Sequence, residues 1–156
     1  MSQEPFAHVE ISRDIAASPE AIYDAIADIT RMGEWSDECH TCEWLDGATG
    51  PAVGARFDGH NRLNGNEWTT QGTVVDAERG RRFAFECSMM DFHFATWSYT
   101  IEPTDTGARV TERWDDFRPD FAIEASIAIS GVEDRNVRNA ENISATLDRL
   151  AAALEG

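Results

Sequence analysis

A chain of 156 residues with a formal net charge of −16 at pH 7 has the size of one domain. It also repels phosphate backbones and anionic lipid surfaces, which argues against nucleic-acid binding and a polybasic membrane anchor. All 13 basic residues are arginine, a bias that GC-rich coding produces and that a salt-adapted acidic surface would share. The cysteines Cys39, Cys42 and Cys87 form an odd set, which argues against a disulfide framework.

The first strand signal is the alternation His8-Val9-Glu10-Ile11-Ser12-Arg13, running on to Ile15. Ser18-Pro19-Glu20 then starts a helix, with Ser18 as the cap and Pro19 where a missing N–H costs nothing. Ala21, Ile22, Ala25, Ile26 and Ile29 form its apolar face. Ile29 to Trp35 reads as a short second helix or turn, and Cys42 to Leu45 as a short strand. Gly47 to Gly54 is loop chemistry. Strands over Ala55–Arg62 and Glu67–Ala77 flank Leu63-Asn64-Gly65-Asn66, whose Asn-Gly pair signals a hairpin.

Further strands cover Arg82–Met89, Phe92–Glu102 and Ala108–Trp114, the last two joined by a turn at Pro103–Gly107. Asp115 to Gly131 carries no clear period, and Pro119 interrupts it early. From Val132 the residues Ala140, Ile143, Leu147, Leu150, Ala151 and Leu154 keep helical spacing to the end, for a helix of about six turns. No stretch approaches the length of a membrane-spanning helix. Met1 to Glu10 lacks a basic cluster followed by an apolar run, so the expected compartment is the cytosol.

This order resembles the START-like (SRPBCC) superfamily, in particular its polyketide cyclase/dehydrase and lipid transport branch. The resemblance runs from Val9 to Leu154. It is carried by Ile15-Ala16-Ala17-Ser18-Pro19-Glu20-Ala21-Ile22-Tyr23, by Thr30 to Ser36, and by Gly54 to Arg62. Trp97 to Pro103 and Gly107 to Glu112 complete it. These segments are specific for the fold and weak for function. The resemblance implies an α+β helix-grip fold over residues 1–156 as a single domain. About seven antiparallel strands would curve around the long C-terminal helix, with one or two short helices after the first strand and a cavity between sheet and helix. Strand parity supports the same picture. Phe83, Phe85, Cys87 and Met89 share one face, as do Trp97, Tyr99 and Ile101, and Val110, Glu112 and Trp114. An apolar sheet face needs a cover.

The expected ligand site comprises Trp35, Phe57, Asn61, Phe85, Trp97, Tyr99, Glu112 and Trp114. Glu112 is the candidate acid/base group. In an apolar wall its carboxyl would exchange protons or anchor a ligand hydroxyl; alternatively it is a structural partner of Arg13 or Arg62. Asn61 would offer a donor and an acceptor to a ligand, or bond a neighbouring side chain. Trp35, Trp68, Trp97, Tyr99 and Trp114 supply apolar shape to a core or a pocket. His93 shares the parity of Trp97 and Tyr99 but reads as a surface histidine.

Cys39-His40-Thr41-Cys42 is a CxxC without the following helix of a redox motif and without a second ligand pair for zinc. It reads as buried or cavity-lining thiols, with no metal and no cofactor expected. The Asn142-Ile143-Ser144 sequon falls within the helix and carries no weight. The expected function is binding of a hydrophobic or amphipathic small molecule: a lipid, a polyketide or an aromatic metabolite. The alternative is a cofactor-free cyclase/dehydratase that uses Glu112, Asn61 and Tyr99 in the same cavity. Neither nucleic acid nor integral membrane association is expected, and a homodimer stays open.

Overall fold

The computed structural model describes residues 4–155. Strand β1 (Ala7–Ile15) leads to helix α1 (Pro19–Ala27), a 3-10 turn (Ile29–Arg31) and the single-turn helix α2 (Met32–Trp35). Six strands follow: β2 (Cys39–Trp44), β3 (Arg56–Leu63), β4 (Asn66–Glu78), β5 (Arg82–Met89), β6 (Phe92–Thr104) and β7 (Gly107–Asp116). Helices α3 (Asp120–Ser130) and α4 (Arg135–Glu155) close the chain. The strands form one curved antiparallel sheet in the order β1-β7-β6-β5-β4-β3-β2. This is the helix-grip fold. No helix of the described residues is long and apolar enough to cross a membrane.

Local chemistry explains the element starts. Ser18 accepts a hydrogen bond from the Ala21 amide at 3.1 Å and caps α1. Asn64 and Gly65, both at positive φ, make the two-residue turn that seats Leu63 opposite Asn66. Met90 and Asp91 do the same between β5 and β6 at φ 53° and 63°, a conformation that costs a non-glycine residue about 1 kcal/mol. Gly33 lets α2 lie directly on β2, since a Cβ there would stand 2.3 Å from the His40 carbonyl oxygen.

The core lies between the sheet's inner face and the helices. Ile143, Leu147 and Leu150 of α4 are fully buried, each contributing about 1.5–3 kcal/mol. Against them sit Ile15 of β1 and Val110 of β7, with α1 adding Ile22 and Ile26. The outer face carries exposed ion pairs such as Arg109–Asp14 and Arg113–Glu10, which contribute little to stability.

Three segments differ from expectation. Asp115–Gly131 contains the eleven-residue helix α3. Pro119 does not interrupt it but stands before its first turn, where its carbonyl accepts the Ala122 and Ile123 amides at 2.9 and 3.1 Å. Gly131, at φ 76°, ends it. Helix α4 begins at Arg135 rather than Val132, because Asp134 caps it by accepting the Val137 amide at 3.2 Å. Strand β2 begins at Cys39, three residues before the expected start, and contains a bulge between Cys39 and Thr41.

Candidate functional site

The sheet, α3 and α4 enclose a cavity of about 470 Å³. All eight residues singled out in the sequence lie on its wall. Inward parity places Phe57 and Asn61 on β3, Phe85 on β5, Trp97 and Tyr99 on β6, and Glu112 and Trp114 on β7. Trp35 comes from α2, and Trp68 of β4 joins them. The rings meet at angles: Phe57 and Phe85 are edge-to-face with centroids 5.2 Å apart, and Trp97 and Trp114 are tilted at 6.5 Å. Exposed Met90 and Phe121 sit at the rim.

Glu112 and Tyr99 are direct cross-strand partners, 3 % and 8 % exposed. The Tyr99 hydroxyl donates to Glu112 Oε2 at 3.0 Å. Glu112 Oε1 is buried and has no hydrogen-bond partner among the described residues. Burial pushes the Glu112 carboxyl up to about 8, and the Tyr99 bond only partly offsets this. Burial, followed by the neighbouring Glu112 charge, raises the Tyr99 phenol well above its ordinary value. The structural alternative, an arginine partner for Glu112, does not occur among the described residues. Arg13 pairs with Asp148 of α4, and Arg62 is exposed, on the face of β3 opposite to Asn61.

Two other expectations change. Asn61 does not converge with Glu112, since β3 lies four strand positions from β7. Its Nδ2 instead makes long bonds of 3.3–3.4 Å to Gly59 O, Trp68 O and Thr70 Oγ1. His93 loses its parity with Trp97 because the register shifts between Cys87 and Ser88 leave Phe94 as an extra residue. The imidazole bonds Thr96 Oγ1 at 2.9 Å and packs at a tilt against Phe117, ring centroids 4.7 Å apart, and Phe94 takes the cavity side.

Sequence reasoning missed a polar wall. Buried Glu38 accepts from Arg135 Nη1 at 2.7 Å and from Asn142 Nδ2 at 2.5 Å. Asn139 Oδ1 receives both of those donors again at 3.3 Å. On the α3 side, Arg118 grips Asp116 with two parallel bonds of 2.8 and 2.9 Å and donates to Ser126 Oγ at 3.1 Å. Its guanidinium also lies over the Trp114 ring at 5.7 Å. The available signal was the row Asn139, Asn142 and Thr146, whose spacing puts polar side chains beside the apolar seam of α4. Glu38 and Arg118 sit outside regular elements and leave no periodic trace.

The family model for "Polyketide cyclase / dehydrase and lipid transport" matches residues 7–155. The chain belongs to this family. Among solved structures, the polyketide-cyclase-like protein Cgl2372 of Corynebacterium glutamicum is 33% identical, with a TM-score of 0.65. That match covers 95% of this chain and 91% of Cgl2372. Protein CV1439 of Chromobacterium violaceum is 18% identical with a TM-score of 0.72, covering 96% and 98% of the two chains. The di-domain ARO/CYC StfQ of the steffimycin biosynthetic pathway is 14% identical with a TM-score of 0.72. Here 95% of this chain aligns with 50% of StfQ. No curated protein matches the chain.

Proposed function

We propose that this protein binds an apolar, ring-containing small molecule in the cavity and orients it by a hydrogen bond at Glu112. The observation that carries the reading is the unpartnered Oε1 of a buried carboxyl in an aromatic wall. Such an orphan is costly unless something satisfies it. Tyr99 donates to Oε2, so in the neutral acid the carboxyl proton resides on Oε1, the oxygen without a partner among the described residues. The complementary ligand group is a carbonyl or another acceptor oxygen. The aromatic rings supply contact area and shape.

The test is native mass spectrometry of freshly purified protein for a co-purifying ligand, followed by titration with the neutral apolar probe Nile red. Trp97→Ala is expected to weaken probe binding about tenfold, near 1.4 kcal/mol, while far-ultraviolet circular dichroism stays unchanged. Absence of saturable binding to the native protein would overturn the binding reading.

A second reading, a cofactor-free cyclase or dehydratase, is favoured by one observation: the Glu112 carboxyl is tuned to about 8, where an acid/base group works best near neutrality. StfQ, an ARO/CYC by name, shares the fold. Glu112→Gln separates the two. A binding protein keeps ligand affinity within a few-fold, because the amide still donates. An enzyme keeps affinity and loses turnover.

A further inference from the structure

The bulge in β2 does something the linear CxxC motif does not reveal. Residues three apart on a regular strand point to opposite faces. Here His40 is the extra residue, so Cys39 pairs with Asn61 and Cys42 with Gly59. Both partners face the cavity, and so do both thiols. The two sulfurs are 3.0 Å apart and unbonded, about 1 Å more than a disulfide bond. Gly59 lies beside both: a Cβ there would stand 3.6 Å from each sulfur, in ordinary van der Waals contact. No group of three metal-type donors occurs among the described residues.

We infer that Cys39 and Cys42 form a redox-active dithiol in the cavity wall, oxidised to a disulfide by hydroperoxides that enter the cavity. The Cys39 sulfur attacks the peroxide, forming an S–O bond as the O–O bond breaks; the departing oxygen leaves with the Cys39 proton as water, or as an alcohol from an organic hydroperoxide. The Cys42 sulfur then attacks Cys39, forming the S–S bond and expelling the sulfenic oxygen with the Cys42 proton as water. Two thiols are oxidised and one peroxide is reduced. The order of attack follows the environment. A hydrogen bond from Cys42 lowers the Cys39 thiol below its ordinary value, whereas Cys42 is raised by that same bond and by burial. Cys87 is also buried, and burial pushes it up to about 12, which makes it a bystander. Closure draws together two side chains of one short strand and leaves the rest of the sheet in register.

The test treats reduced, folded protein with hydrogen peroxide and, separately, with cumene hydroperoxide. The expected intact mass falls by two hydrogens, and free thiols fall from three to one. Peptide mapping is expected to place the bridge between Cys39 and Cys42. Cys87→Ser should leave the reaction unchanged. Cys42→Ser should stop at a Cys39 sulfenic acid that dimedone traps. If Cys42→Ser does not fold, the map of the unaltered protein decides alone. A bridge involving Cys87, or oxygen addition without a Cys39–Cys42 bridge, would overturn the inference.

Discussion

Replacing Glu112 by glutamine is expected to remove a decline in stability that the unaltered protein shows between about pH 4.5 and about pH 8. In the folded protein, burial holds this carboxyl at about 8 against an ordinary value of 4.5. The folded state therefore binds this proton more tightly than the unfolded chain. The stabilisation is fully present below pH 4.5, where both states are protonated. It is lost as pH rises towards 8, because the unfolded chain gives up its proton first. Within that window the folding equilibrium weakens by up to about tenfold per pH unit. The difference between urea-denaturation curves of Glu112→Gln and the unaltered protein isolates this contribution from the histidines. A flat difference across the window would mean that the carboxyl is solvated or paired.

Glu38→Ala is expected to cost about 3–5 kcal/mol, because it leaves the Arg135 guanidinium buried without a counter-charge. The side chains of Glu38 and Arg135 are 8% and 13% exposed, and Asn142 loses its acceptor at the same time. The loss should appear as a fall in melting temperature of roughly 10 °C. By contrast, Asp24→Ala breaks the exposed pair with Arg79 and should change stability little. Glu38→Gln, which keeps an acceptor but not the charge, should fall between the two.

Much of this architecture is legible in the chain because most strands have one wet and one dry face. The period-two pattern of β5 and β7 and the Asn-Gly turn before β4 place Phe85, Glu112 and Trp114 on the inner side without tertiary knowledge. Helix α3 is opaque for a related reason. Phe121, Ile123, Ile127 and Ile129 face several directions around it, because one side closes the cavity while others touch the sheet or solvent. A one-sided stripe never forms. Parity also fails at bulges: one extra residue, Phe94, moved His93 to the other face, and another, His40, brought two thiols together. The buried ion pairs Glu38–Arg135 and Asp116–Arg118 depend on segments far apart in sequence or outside regular elements, and spacing says nothing about them.

The bulge at His40 has a consequence beyond the thiols. In the order of the sheet, β2 is a terminal strand and pairs on one side with β3 alone. A regular free edge is a template on which another polypeptide can add as an eighth strand. The irregular run from Cys39 to Thr41, with α2 laid over His40, breaks the even ladder of donors and acceptors that such an addition requires. The same inserted residue that brings the two thiols to one face thus blunts the sheet's margin against self-association into fibrils.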